Sequence, residues 1–526
     1  MFWADKIADE VIRRYAHVID TGLPIVVRDE KTASGEVHVG SLRSAALHSM
    51  VADVLQDREI SIKFNFEIND FDAMDGIPSY LDESEYKKYM GMPLYKIPSP
   101  VEGYDNFAEL YGLQYVEVLK KIGFDAKVYR ATELYKSGKM NDSVRFALER
   151  RDAIRRIYKE VSGSQKPEDW YPLNVVCEKC GKLSTTQITD FDGETVGYVC
   201  SSETITWAEG CNHEGRVSPF NGNAKLPWKL DWAAKFKAVG VHFEGGGKDH
   251  YSKGGARQVA EAISREVFEY EPPYGVFNEF FLVGGKKMSS SKGNAATAKE
   301  MANLLPPHLL RLLLIKIPIN RQLDFDPSGD AVPVLFDTYD KLAAKYWSGI
   351  EDDDTRVFYF AHVAASRKDI PEHFLPRFSQ IAFLVQMSHI DLEEELTAMK
   401  GSPLTKDDLE EMNMRATYAK RWLENYAEDR FIFKLQETLP EKTSQLTDAQ
   451  KSALALFADK LELLEIKSGQ SIHELTHEVK EESGLDAKSF FEAVYIAFLG
   501  KESGPKVGWF LSTIDMDFVL KRLREV

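Results

Sequence analysis

The chain is poor in cysteine, in long apolar runs and in positive charge, and each shortage excludes something. Four cysteines in 526 residues are too few for the disulfide framework of a secreted scaffold. The most apolar stretch, Leu304 to Ile319, contains Pro306, Pro307, His308, Arg311, Lys316 and Pro318, which makes it a poor membrane span. Asp5, Lys6, Asp9 and Glu10 interrupt any apolar run after Met1, so no secretory leader is expected. Lysine and arginine number 66 against 83 aspartates and glutamates, a net charge of −17. That balance excludes a uniformly basic surface, the usual means of non-specific nucleic-acid binding. A nucleic-acid partner would need a local basic face on an acidic body. The expectation is a cytoplasmic protein with no membrane partner.

What the chain does have is clustered. Its four cysteines, Cys177, Cys180, Cys200 and Cys211, all fall between residues 177 and 211. A C-x-x-C pair followed by two further cysteines, with His213 close behind, has the spacing of a tetrahedral structural zinc site. The fourth ligand is Cys211 or His213. Apolar residues make up 44% of the chain and charged residues 28%, which suits a soluble protein of about three or four domains.

Leu23 to Val27 reads as a buried strand, Arg28 to Gly40 as a turn-rich loop, and Ser41 to Gln56 as a helix with apolar positions at helical spacing. Ile60, Ile62, Phe64, Phe66 and Ile68 alternate with polar residues, the period of a strand. Strand, loop, helix and strand in this order predict a βαβ unit and a parallel sheet. Helices are expected over Phe107 to Ile122 and Asn141 to Val161, and a second α/β segment from about 226 to 285. Beyond about residue 335 the patterns are almost all helical. Thr405–Asp408, Thr447–Gln450 and Ser471–Glu474 read there as capping boxes. The stretch Arg145 to Lys159, with Arg151 and Arg155 four residues apart, reads as a basic helix face.

Two loops carry chemistry. The first runs from Thr32 to Ser41, where an open α/β sheet binds its ligand. Gly35 and Gly40 let the backbone approach a phosphate, His38 can donate to a phosphoryl oxygen, and the helix beginning near Gly40 is expected to offer free N–H groups. The second is Lys286-Lys287-Met288-Ser289-Ser290-Ser291-Lys292. Its lysines are point charges suited to a triphosphate and its departing pyrophosphate, and its serines suit a loop that closes and reopens.

The pair His38-Val39-Gly40-Ser41 and Lys287-Met288-Ser289-Ser290-Ser291-Lys292, about 250 residues apart, resembles the two signatures of class I aminoacyl-tRNA synthetases. The second loop resembles the form found in class I lysyl-tRNA synthetases. Ala131 to Lys139, Gly247-Lys248-Asp249-His250 and Gly504-Pro505-Lys506 resemble the same family. Two positions depart from it: Ser41 stands where the family has Asn or His, and Glu30 where it usually has Gly.

The resemblance implies an α/β fold. A Rossmann-type catalytic domain (1–105 and 226–285) would be split by a zinc-bearing insertion (106–225). A signature-loop and stem-contact region (286–345) and an all-α anticodon-binding domain (346–526) would follow. It implies ATP-dependent ligation of L-lysine to tRNA through a lysyl-adenylate, by a monomer. ATP would meet Ser34, Gly35, His38, Gly40, Ser41, Gly247, Asp249, Lys287, Met288, Ser289, Ser290, Ser291 and Lys292, with Mg²⁺ held mainly by phosphates and water. His38, Lys287 and Lys292 would be catalytic. Thr32, Trp228 and His250 would line the amino-acid pocket, and Glu30, Asp70, Asp72, Asp75 and the faces of Trp228 and Trp232 are candidates for the lysine ammonium. The alternatives are a class I ligase for another amino acid or a non-tRNA acceptor, and a non-catalytic zinc-knuckle RNA-binding paralogue. His473-Glu474-Leu475-Thr476-His477 matches the zinc-protease helix pattern, but the capping reading of Ser471 and Glu474, with no third ligand nearby, argues against a catalytic metal there.

Overall fold

A computed structural model describes residues 1–287, 296–387 and 390–526. It forms two compact units, one of residues 1–325 with 341–370, the other of residues 326–340 with 371–526.

The first unit is built on a parallel sheet. Strands β1 (Ile25–Thr32), β2 (Ile62–Asn69) and β3 (Lys127–Arg130) lie side by side, with Thr32 opposite Asn69 and Ile68 opposite Arg130. Phe243 bridges Val27 in the parallel sense, and Tyr274 bridges Phe243, so the later α/β segment continues the same sheet. The βαβ expectation holds, with the helix at Ser41–Asp57. β1 runs on to Thr32, so residues 28 to 32 are strand and not loop. The first half of the sheet also extends past residue 105, because β3 pairs with β2.

One face of β2 is apolar, as the alternation requires. Phe66 meets Tyr115 of the helix Phe107–Lys121 at 5.8 Å between ring centroids. The opposite face carries Asn65, Glu67 and Asn69, and it is equally buried. A polar strand face ordinarily meets solvent; here it meets the charged network described below.

The segment between Ala131 and Lys225 packs helices and a small antiparallel sheet (Thr186–Phe191, Val196–Cys200, His213–Val217) around the cysteines. The helix expected over Asn141 to Val161 breaks at Arg150, giving Asn141–Glu149 and Arg151–Ser162. Its arginines are engaged. Arg151 lies over the Tyr171 ring at 4.2 Å, Arg155 pairs with Asp152, and Arg156 pairs with Glu160 and Glu266.

The second unit is helical around an apolar core that includes Phe457, Phe490, Phe498 and Phe510. Thr405 and Thr447 close the capping boxes read from the sequence. The third reading is corrected. The helix Gly469–Ser483 starts earlier, with Ser468 as N-cap accepting from the Ser471 amide, while Glu474 accepts from Gln470. His473 and His477 therefore sit inside the helix, with His473 against Trp509. Gly508 makes this packing possible, since a Cβ there would lie 2.3 Å from the Gly469 carbonyl oxygen. Ser468→Ala is expected to destabilise this unit by about 1 kcal/mol and Glu474→Ala by less, measured on the unit's urea transition.

Candidate active site

β1 delivers the chain to the sheet's carboxyl edge, and residues 33–40 turn there into the helix Ser41–Asp57. The His38 ring folds back over Gly40, where a Cβ would meet its Cε1 and Nδ1 at 2.8 Å, so a side chain there would have to displace the ring. The Tyr80 hydroxyl accepts from the Glu36 amide at 2.8 Å and holds the loop from outside. The expectation of free amides at the helix start is corrected. Ser41, Leu42 and Arg43 donate to the carbonyls of His38, Val39 and Gly40. The favourable end of the helix dipole remains, but those donors are spent.

The two signature loops are joined by backbone. Val39 N donates to Ala296 O at 2.9 Å, Ala298 N donates to Val37 O at 2.8 Å, and His38 bridges Thr297. On its other side the lysine loop leaves from a strand, Lys286–Lys287, paired with Phe281–Val283. Met288, Ser289, Ser290, Ser291 and Lys292 lie outside the described residues. Both stems of that loop thus stand in the sheet-bearing unit, one of them on the His38 loop.

Below the loop lies a buried charged network that the sequence did not reveal. Arg28 donates to Glu67 at 2.9 Å, to Glu244 at 2.6 Å, to Tyr129 and to Glu30. Lys235 pairs with Glu67 and with Asp231 at 2.7 Å and stands 3.6 Å from Glu30. Lys225 joins Asp231 at 2.9 Å to Asp72 at 2.7 Å, and Asp72 accepts from Thr32 at 2.9 Å. Five carboxylates (Glu30, Glu67, Asp72, Asp231, Glu244) face three cations (Arg28, Lys225, Lys235), an excess of two negative charges when all are ionised. Burial opposes ionising Asp231, yet Lys225 and Lys235 hold it well below the usual carboxylate range. Burial pushes the Glu30 carboxyl up despite Arg28 and Lys235. Glu244 Oε2 is buried and has no hydrogen-bond partner among the described residues.

Glu30 and Thr32 are therefore both part of this network. Trp228, half exposed, and Trp232, buried, flank His250 with ring centroids at 5.7 and 5.6 Å. Trp232 belongs to the apolar core and donates Nε1–H to Glu244 at 2.6 Å. Burial lowers the His250 pKa, so its ring is neutral at physiological pH. Gly247 ends a short strand paired with Phe277–Asn278, and Asp249 lies in the turn after it. Sequence reading missed Arg28, Glu67, Lys225, Asp231, Lys235 and Glu244. Only Glu244 carried a signal, standing directly before Gly245-Gly246-Gly247.

The four cysteine thiols converge. Their sulfurs lie within 4.8 Å of one another, with Cys177 and Cys211 3.7 Å apart and Cys180 and Cys200 3.6 Å apart. Four thiolates about 2.3 Å from a zinc ion have edges of about 3.8 Å, so the donor set and spacing fit that metal. His213 is outside the group; its ring packs on Tyr198. Among the described residues no other group of three or more such ligands forms, and His473 with His477 does not make one.

A parallel sheet whose carboxyl edge joins a Gly/His loop to the stem of a lysine loop is the catalytic architecture of a class I synthetase. The sequence comparisons agree. Residues 1–364 match the family model of tRNA synthetases class I (K), and residues 378–526 that of an anticodon binding domain. The chain is 32% identical over 547 residues to a lysine–tRNA ligase of Methanosarcina barkeri, covering 99% of this chain and 97% of that protein. It is 33% identical over 528 residues to a lysine–tRNA ligase of Archaeoglobus fulgidus, covering 100% and 99%. A solved glutamate tRNA ligase from Elizabethkingia meningosepticum aligns with a TM-score of 0.43 and 13% identity over 95% of this chain and 98% of that one. The chain belongs to the class I (K) family of tRNA synthetases.

Proposed function

We propose that this protein ligates L-lysine to its tRNA, activating the amino acid with ATP as a lysyl-adenylate, in the cytoplasm and as a monomer. The observation that carries the choice of lysine is the network at the strand ends. It holds more carboxylates than cations, and the unpartnered Glu244 Oε2 offers a place for an ammonium. A cationic amino acid relieves that imbalance, and a neutral or acidic one does not. Glu30, Asp72, Thr32 and the rings of Trp228, Trp232 and His250 surround the same place in this reading.

No enzyme nucleophile is needed. The lysine carboxylate attacks the α-phosphate of ATP and pyrophosphate leaves, so the protein's work is alignment and charge. His38 and the start of the helix Ser41–Asp57, with Ser34, Gly35 and Gly40 shaping the loop, serve the α- and β-phosphates. Lys287 and Lys292, with Met288 to Ser291 between them, serve the leaving phosphates. Gly247 and Asp249 take the ribose. Mg²⁺ enters with ATP. The domain at 378–526 holds the anticodon.

Glu244→Gln tests the reading. In ATP–pyrophosphate exchange with total tRNA present, only lysine should drive the wild-type reaction. The variant should raise KM for lysine about tenfold, the value of one hydrogen bond to a charged group, with a smaller change in kcat. Exchange driven equally well by a neutral amino acid would remove charge as the basis of selection.

One structural Zn²⁺ is proposed at Cys177, Cys180, Cys200 and Cys211, where it would brace the insertion. Elemental analysis is expected to give one zinc per chain, lost in Cys177→Ser with Cys180→Ser and kept in His213→Ala. Zinc lost from His213→Ala would place the fourth ligand at the histidine instead.

A further inference from the structure

One lysine of the sheet-bearing unit is withdrawn from solvent without a partner. Lys31 is half-buried near the end of β1, and its side chain makes no hydrogen bond, ion pair or ring contact among the described residues. Fully exposed lysines without partners are common in this chain, but every other described lysine of this unit that is buried or half-buried is engaged. Lys225, Lys235 and Lys345 pair with carboxylates. Lys182 and Lys237 donate to the carbonyls of Glu209 and Phe268. Lys166 and Lys229 lie over aromatic rings. An ammonium that loses hydration and gains no fixed partner is a cost to the fold.

The position of Lys31 is that of a ligand contact. Side chains alternate along β1, so Lys31 shares a face of the sheet with Asp29. The helix Ser41–Asp57 covers that face, and its Ser44 Oγ donates to Asp29 at 3.2 Å. Thr32 alone separates Lys31 from the loop 33–40, at the carboxyl edge where such sheets bind their ligands. The Lys31 charge also reaches the other side of the site: burial lowers the His250 pKa, and the ammonium groups of Lys229 and Lys31 lower it further. The two adjacent carboxylates are committed elsewhere. Asp29 accepts from Ser44 and from the Glu30 amide, and Glu30 accepts from Arg28. Burial holds the Lys31 pKa below the usual lysine range, against the pull of Asp29 and Glu30.

We infer that the Lys31 ammonium binds the phosphates of ATP. The inference rests on the proposed activation of an amino acid with ATP and adds a contact that neither signature loop supplies. The first amides of the helix Ser41–Asp57 are spent on carbonyls of the loop itself, so this end of the site lacks the backbone donors that a phosphate loop ordinarily offers. An ammonium on a flexible stem takes their place as a point charge. The other anion of the reaction, the carboxylate of the amino acid, is the poorer match. A cation fixed beside the pocket would repel an amino acid selected for its positive charge. ATP carries several negative charges, and a charge-assisted hydrogen bond to one of them restores what the half-buried ammonium has lost.

Equilibrium dialysis of the full chain with radiolabelled ATP, in the absence of any amino acid, tests the assignment. Lys31→Met should weaken ATP binding about tenfold, as the loss of one charge-assisted hydrogen bond does, and Lys31→Arg should recover most of it. The unfolding temperature of Lys31→Met should stay level or rise, because no partner is lost, and KM for lysine should not move. In the wild type, ATP but not lysine should protect Lys31 from acetic anhydride, read by mass spectrometry of its peptide; this measurement needs no variant to fold. Unchanged ATP affinity in Lys31→Met, or equal acetylation with and without ATP, would overturn the proposal. So would unchanged ATP affinity with a raised KM for lysine, which would assign the ammonium to the amino-acid carboxylate. Weaker ATP binding in both variants with a lower unfolding temperature would make Lys31 structural and count against the proposal as well. The expected ATP binding and protection in a chain that did not activate lysine would support this contact and sink the choice of amino acid instead.

Discussion

Replacing Lys235 with methionine is expected to destabilise the sheet-bearing unit by about 3–5 kcal/mol. Lys235 is fully buried, and its ammonium joins Glu67, Asp231 and, at a longer distance, Glu30. Methionine fills much the same volume, so little of the loss is packing. What remains is a set of buried carboxylates with Arg28 and Lys225 as their ion-pair partners among the described residues, and removing one member of a buried pair typically costs that much. The loss is read from the urea transition of the unit, and a change below about 1 kcal/mol would mean that solvent reaches the network. The same network sets the response to pH. Glu67 and Asp231 are held below the usual carboxylate range by their cations, against the effect of burial. Their stabilisation is present above the unfolded value of about 4 and is lost as pH falls through the folded values. Lys235 is held above the usual lysine range by Asp231 and Glu67, again against burial. Its share is complete below an unfolded value of about 10.4 and lost only as alkaline pH passes the folded value. Glu30 runs the other way: burial raises its pKa, so ionising it costs stability as pH rises, and a bound substrate ammonium would offset that cost.

Lys292→Ala is expected to lower the rate of lysine activation about 10²–10³-fold while KM for lysine changes little. The ammonium acts on charge that grows on the departing pyrophosphate, so its loss belongs in kcat. Lys292 itself lies outside the described residues, but its loop is tethered at both ends. Lys286–Lys287 pairs with Phe281–Val283, and Ala296 to Ala298 bond to residues 37–39. Along the chain, four residues separate Lys287 from Lys292 and three separate Lys292 from Ala296. Single-turnover exchange with tRNA present separates kcat from KM, and an unaltered rate would remove the loop from the chemistry.

The local features were legible because they are local. The alternation of Phe64, Phe66 and Ile68, the helix after Gly40 and the two threonine capping boxes are set by near neighbours in the chain. The Cys177–Cys180 pair is likewise a matter of spacing, and the two later cysteines join it in space. Arg28-Asp29-Glu30-Lys31 reads as a polar loop for the same reason: nothing nearby shows that Glu67, Lys235 and Glu244 will close over it. Arg28 and these three partners, spread over more than 200 residues, become one network only when the parallel sheet brings them together. The Ser471–Glu474 pattern failed because Ser468, three residues earlier, is an equally good cap, and the helix takes the longer option.

The central claim, that lysine is the amino acid joined to tRNA here, is tested most directly by charging total tRNA with a panel of labelled amino acids. The account predicts that lysine alone becomes acid-precipitable with the RNA, in an ATP-dependent reaction. Stable charging with another amino acid, or none with any, would contradict it.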